Sequence, residues 1–98
     1  MEKVDALPIP PSANSMLLLL EQKSVIRCHI LLPDAPRPIG AIFYQGHFYS
    51  YIKFYESEEA ALKGAGRLSE RGDHVLLTRI PKGIVLWGLE PDAQLANH

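Results

Sequence analysis

Apolar and polar positions along the chain change period at Ser57, and again after Gly72. Before Ser57, from Ile39 to Tyr55, side chains alternate with a period of two about Gln45 and Gly46. A two-residue turn there sets 44 opposite 47, 43 opposite 48 and 42 opposite 49, because a short loop fixes register. One face of this hairpin then carries Ile39, Ala41, Phe43, Phe48, Ser50, Ile52 and Phe54, and the other Ile42, Tyr44, His47, Tyr49, Tyr51, Lys53 and Tyr55. An apolar face backed by an aromatic and polar one suits a half-buried antiparallel sheet, so the first is expected to face the core.

From Ser57 the period becomes helical. Ser57 stands at the N-cap, Glu58 and Glu59 follow where the helix dipole favours carboxylates, and Arg71 and Gly72 supply a basic last turn and a left-handed stop. The predicted apolar stripe is Ala61, Leu62, Ala65 and Leu68, with Glu59, Lys63, Arg67, Glu70 and Arg71 outside. Gly64 and Gly66 each cost a helix about 1 kcal/mol against alanine, a cost that close packing of helix on sheet would offset.

Two further pairs of strands flank this centre. Upstream, Ile26, Cys28, Ile30 and Leu32 alternate with Val25, Arg27, His29 and Leu31, which predicts a strand. Met16–Leu20 is expected to be a strand paired with it across Gln22–Ser24, the competing form being one helical turn capped by Ser15. Downstream, a turn at Lys82-Gly83 pairs Ile80 with Val85, Thr78 with Trp87 and Leu76 with Leu89. Both faces of that last hairpin are largely apolar, as in a central sheet strand or a subunit contact.

The order hairpin, hairpin, helix, hairpin predicts an α+β domain. Its curved antiparallel sheet has about five or six strands, partly closed as a barrel, with one helix packed on it. That domain is expected over 15–90. Residues 1–14, with Pro8, Pro10 and Pro11, read as an extended, disordered leader, since no PxxP pair is tellingly flanked as a polyproline ligand. Residues 91–98 read as a polar tail in which Leu95 is the single anchor. PDAPRP at 33–38 reads as a rigid loop, because three prolines remove donors and fix φ.

Ninety-eight residues can bury roughly 65% of their unfolded surface without a metal or disulfide. The single cysteine, Cys28, excludes an internal disulfide framework and fits a reducing compartment. A net charge of −1 gives no global attraction to nucleic acid or anionic membrane. No apolar run approaches the ~20 residues of a membrane span or forms a signal-peptide core, so a cytoplasmic protein is expected.

Catalytic chemistry finds no purchase in these residues. There is no GxSxG, no HExxH and no Gly-rich phosphate loop after a strand; Gly64-Ala65-Gly66 lies inside the helix. His29, His47, His74, His98 and Cys28 lack zinc-type spacing, and Cys28 falls on an expected core face. No enzyme activity, metal or cofactor is therefore expected.

Binding is the better-supported class. Tyr44, His47, Tyr49, Tyr51, Lys53 and Tyr55 share one expected sheet face, and Arg79 and Trp87 of the last hairpin join them as candidate binding residues. Aromatic rings and arginine dominate interface hot spots because they remove large areas from water at small entropic cost. Arg27, Arg37 and Arg67 would complete a cationic rim. The expectation is a small non-enzymatic regulatory or adaptor protein binding a protein partner through this face, with homodimerisation as one form. The alternative is single-stranded RNA, its bases stacked on the tyrosines and its phosphates held by Lys53.

Overall fold

A computed structural model describes residues 17–96. The expected arm at 1–14, Ser15, Met16 and residues 97–98 lie outside the described residues. Within them the chain forms β1 (Leu19–Glu21), a single 3-10 turn (Gln22–Ser24), β2 (Ile26–Leu31), β3 (Ile39–Tyr44), β4 (His47–Tyr55), α1 (Glu58–Glu70), β5 (Val75–Ile80), β6 (Gly83–Leu89) and β7 (Gln94–Leu95). The seven strands make one sheet in the order β1-β5-β6-β4-β3-β2-β7, a mixed α+β fold whose sheet is open.

The central hairpin has the expected register, with Tyr44 opposite His47, Phe43 opposite Phe48 and Ile42 opposite Tyr49. Gln45 and Gly46 both adopt positive φ, 48° and 84°, the twist that a two-residue hairpin turn requires. The last hairpin differs from expectation by two residues: Ile80 faces Gly83, Thr78 faces Val85 and Leu76 faces Trp87. Pro81 and Lys82 form its turn, and Pro81, with its fixed φ and no N–H, is suited to a turn and unsuited to a ladder. A shift of two preserves every side chain's face, so the apolar pattern is unchanged.

The first expected hairpin does not form. β1 is a strand, but it runs parallel to β5, with Leu19 opposite Leu77 and Glu21 opposite Arg79. Gln22–Ser24 contains no glycine, proline, asparagine or aspartate, and its 3-10 turn bends the chain without turning it back. The strand count rises further at the polar tail, where Leu95 lies opposite Ile30 and Gln94 opposite Leu31.

The link between β1 and β2 dictates the curl of the sheet. In a flat sheet of this order β1 and β2 would lie five strand spacings apart, ~24 Å. Only Gln22–Val25 separate Glu21 from Ile26, and five residue steps reach at most ~17 Å. The sheet must roll, and its concave core shows that it does: Val25, Ile42, Leu76, Val85 and Trp87 form one cluster although Ile42 is on β3 and Leu76 on β5. Hydrophobic burial on this side comes from the sheet closing over itself.

Helix α1 covers the convex side, where Ala61 and Ala65 pack with Leu77, Ile84 and Leu86. Ser57 Oγ accepts the Ala60 N–H at 3.1 Å, as an N-cap should. At the other end Gly72 takes φ 93°, and the N–H groups of Gly72 and Asp73 reach the carbonyls of Ser69 and Leu68, which completes a Schellman stop. The expected stripe holds at Ala61, Ala65 and Leu68 but fails at Leu62, which is 39% exposed. Alanines and a glycine bring the helix so close to the sheet that the contact narrows to their side of the cylinder.

A bulge in β4 reassigns the faces. Tyr51 faces Trp87 and Lys53 faces Leu86, so Ile52 is the extra residue on its strand. Up to Tyr51, the tyrosine face expected to look outward is the concave, core-lining face. Beyond the bulge, parity inverts: Phe54 joins the concave cluster and Tyr55 the helix-side cluster. The expected core face accordingly divides, with Ala41 and Ser50 buried on the convex side and Ile52 exposed.

Candidate binding surface

The roll and the bulge together determine where each expected binding residue stands. Tyr44 and Tyr49 are half-buried and pack against the concave cluster, with Ile42 opposite Tyr49. His47 lies exposed beside the hairpin turn. Tyr51 remains 55% exposed. Its ring meets Trp87 edge-on, at 6.2 Å between centroids and 87° between planes, a favourable aromatic geometry. Lys53 and Tyr55 lie on the opposite side, where the Lys53 ammonium sits 5.2 Å from the Tyr55 ring centroid. The six hairpin residues therefore do not share one surface, because Ile52 breaks the period on which that expectation rests.

The two residues of the last hairpin also differ from their expected roles. Trp87 is 6% exposed, and its indole N–H donates to Thr78 Oγ1 at 2.9 Å within the concave core. It contributes the floor of a surface and not a free anchor. Arg79 is exposed, yet its guanidinium is already engaged, with Glu21 at 3.3 Å and Glu58 at 3.3 Å. These pairs tie β1 to the start of α1 across the edge of the sheet.

What the fold does bring together is a cleft. Where β1 bends into β2 the rolled sheet gapes, and three adjoining hollows open there. The innermost, of about 200 Å³, is lined by Val25, Ile42, Thr78, Val85, Trp87 and Tyr51 among others. The next, of about 460 Å³, has Arg27, Ile39, Gly40, Tyr51 and Trp87 on its walls. The third, of about 570 Å³, runs along Glu21, Gln22, Lys23, Arg27, Arg79, Ile80 and Pro81. Arg27 lines all three. Among the described residues no carboxylate forms an ion pair with it.

Arg27 belongs to the cleft because β2 lies beside β3 with Arg27 opposite Ile42, on the concave side. Its alternation with Ile26 and Cys28 is legible in the sequence, but which face is concave depends on the partner strand. Cys28 points the other way, toward Ala41, and burial pushes its thiol pKa up while neighbouring Arg27 pulls it down. A raised pKa keeps it a weakly nucleophilic thiol. Burial, and secondarily Tyr44, likewise raise the pKa of the Tyr49 phenol.

Chemically this surface offers an exposed tyrosine ring, an apolar floor and two cations, Arg27 and Lys23, without a carboxylate partner among the described residues. Among the described residues no group of three or more His, Cys, Asp or Glu side chains could hold a metal ion. No described helix is long and apolar enough to cross a membrane. The chain matches no family model, no curated protein and no solved structure.

Proposed function

We propose that this domain is a non-enzymatic regulatory or adaptor module that binds a protein partner, in the cytoplasm, through the cleft beside Tyr51 and Trp87. The observation that carries the proposal is Tyr51. A large ring left 55% exposed, braced edge-on by a buried tryptophan, stands at the mouth of the cleft beside Arg27, which has no described carboxylate partner. Such a ring loses little conformational freedom on binding and removes a large area from water. The arrangement suits recognition, which needs shape and desolvation, and offers no paired acid and base for chemistry.

Single-stranded RNA would need a continuous row of Tyr49, Tyr51, Lys53 and Tyr55. The bulge at Ile52 turns the last two to the far side, and the net charge of −1 supplies no compensating field. Protein is therefore the partner class we favour.

The test is a photo-crosslinking amino acid at position 51 of the full chain, exposed to extract from the source cell with and without nuclease. A discrete protein adduct that survives nuclease, and is competed by unlabelled wild-type chain but not by the Tyr51→Ala and Arg27→Gln double variant, supports the proposal. Adducts that vanish with nuclease would overturn it in favour of RNA.

A further inference from the structure

We propose that the cleft takes an extended acidic segment of a protein partner, with one side-chain carboxylate on Arg27 and Lys23 and an apolar residue to either side of it. The inference rests on the assignment of the cleft as the binding surface, and it names the chemistry of the partner.

Charge selects the central group. The 3-10 turn at Gln22–Ser24 runs almost directly into β2, and Lys23 and Arg27 line the same hollow. Both are exposed, and among the described residues neither has a carboxylate partner. The third cation of that wall, Arg79, is held by Glu21 and Glu58, so the uncompensated charge is concentrated at Lys23 and Arg27. A planar guanidinium takes a carboxylate through paired hydrogen bonds, and a lysine beside it adds a charge-assisted donor. Glu21, in the same wall, limits how much negative charge fits. It repels a polyanion whose charges continue along the groove and leaves room for a single carboxylate.

Shape selects the flanks. Arg27 is the wall shared by the two outer hollows, of about 460 and 570 Å³. On one side of it stand the exposed Tyr51 ring and the half-buried Ile39, and on the other the half-buried Ile80 and the exposed Pro81. These apolar surfaces are accessible as the domain stands, so a ligand reaches them without moving a core side chain. In an extended segment, side chains two residues apart point the same way and lie ~7 Å from one another. A pattern of apolar, any, acidic, any, apolar therefore turns three side chains into the cleft and leaves the two between them in water.

The experiment titrates the isotope-labelled full chain with the peptide Ser-Leu-Ser-Glu-Ser-Leu-Ser, acetylated and amidated so that the glutamate is its one charge, and follows backbone amides by NMR. Saturable shifts at Arg27, Gly40, Tyr51 and Ile80, with α1 signals such as Gly66 unmoved, are expected. Glutamine in place of the peptide's glutamate should weaken binding by about tenfold or more, since a charge-assisted pair is lost. Lys23→Gln should weaken it by a smaller factor, and serine in place of both peptide leucines should weaken it as well. Arg27→Glu should abolish binding of the acidic peptide and accept the same peptide with lysine at its centre, an exchange that a misfolded variant could not make. Equal affinity for the glutamate and glutamine peptides, indifference to Arg27→Glu, or no saturable shift at millimolar peptide would overturn the proposal. An oligouridylate that gives the same shifts at lower concentration than the peptide would overturn it in favour of RNA. If the peptides fail while a protein still crosslinks at position 51, the acidic-segment proposal falls and the binding surface stands; if no protein crosslinks either, both fall.

Discussion

The Tyr55 hydroxyl occupies the space that a side chain on Gly64 would need. A Cβ at Gly64 would overlap that oxygen and stand 2.8 Å from the ring Cζ. The contact exists because the bulge at Ile52 turns Tyr55 toward α1, and Gly64 is the helix position beneath it. Ile52 has its own accommodation, since its Cδ1 lies over Gly88, where a Cβ would come within 2.7 Å. A bulge, two glycines and a tyrosine thus form one packing solution.

Gly64→Ala should destabilise the domain and Gly66→Ala should stabilise it. Overpacking costs about 1–3 kcal/mol, against about 1 kcal/mol gained in helix propensity, so a net loss of up to about 2 kcal/mol follows at Gly64. A Cβ at Gly66 would meet nothing within 4 Å, which leaves the propensity gain of about 1 kcal/mol. Urea midpoints of the two variants should move in opposite directions. Tyr55→Phe should recover part of the Gly64→Ala loss by removing the first atom struck.

The bond from Trp87 to Thr78 predicts an asymmetry between two substitutions. Thr78 is 2% exposed, so Thr78→Val leaves the indole N–H buried without an acceptor, at a cost of about 1–3 kcal/mol. Thr78→Ser keeps the hydroxyl and loses one methyl group, about 1 kcal/mol. Urea unfolding followed by the fluorescence of the single tryptophan measures both. Equal stability of Thr78→Val and wild type would mean that the hydrogen bond carries no net weight.

Local signals made part of this fold legible. Gln45-Gly46, Ser57 and Gly72 act within a few residues of themselves, and the turn, N-cap and helix stop stand where those residues predict. The missing features depend on partners distant in sequence. Nothing near Ile52 announces a bulge; the room for it comes from Gly88 on the neighbouring strand. β1 gives no sign that it will choose β5, because three residues carry too little pattern to name a partner strand. The short β7 is set by the exposed edge that β2 offers.

The candidate surface was legible only as composition. Tyr51 and Trp87 stand out in the sequence as aromatic groups, but their meeting needs β4 beside β6, and Arg27 joins them only because the sheet rolls. Reading the tyrosine face as outward follows from counting polar atoms. The fold instead buries the bodies of Tyr44 and Tyr49 against the concave cluster, a use that amphipathic rings permit.

Arg79 should matter less to stability than its two ion pairs suggest. Both pairs are solvent-exposed, with side chains roughly half accessible, and such pairs contribute about 0–1 kcal/mol once screening and side-chain entropy are counted. Arg79→Gln should therefore lower stability by under about 1 kcal/mol at low salt, and the difference should shrink toward zero near 1 M salt, where the Debye length is ~3 Å. A loss that persists at high salt would show that the arginine acts through packing of its stem.

Tyr49 predicts a specific alkaline limb of the stability curve. Its phenol is held neutral by burial, with Tyr44 adding to the shift, so its folded pKa lies above the ordinary value of 10.0. The unfolded chain therefore releases this proton first as pH rises. The contribution of Tyr49 is fully present below the unfolded pKa and is lost as pH climbs from there through the folded value. Tyr49→Phe, which has no proton to release, should leave stability near neutral pH close to wild type and make the decline above about pH 10 shallower. Stability measured by urea unfolding from pH 8 to pH 11 tests this, and parallel curves for the two proteins would assign the alkaline loss to other groups.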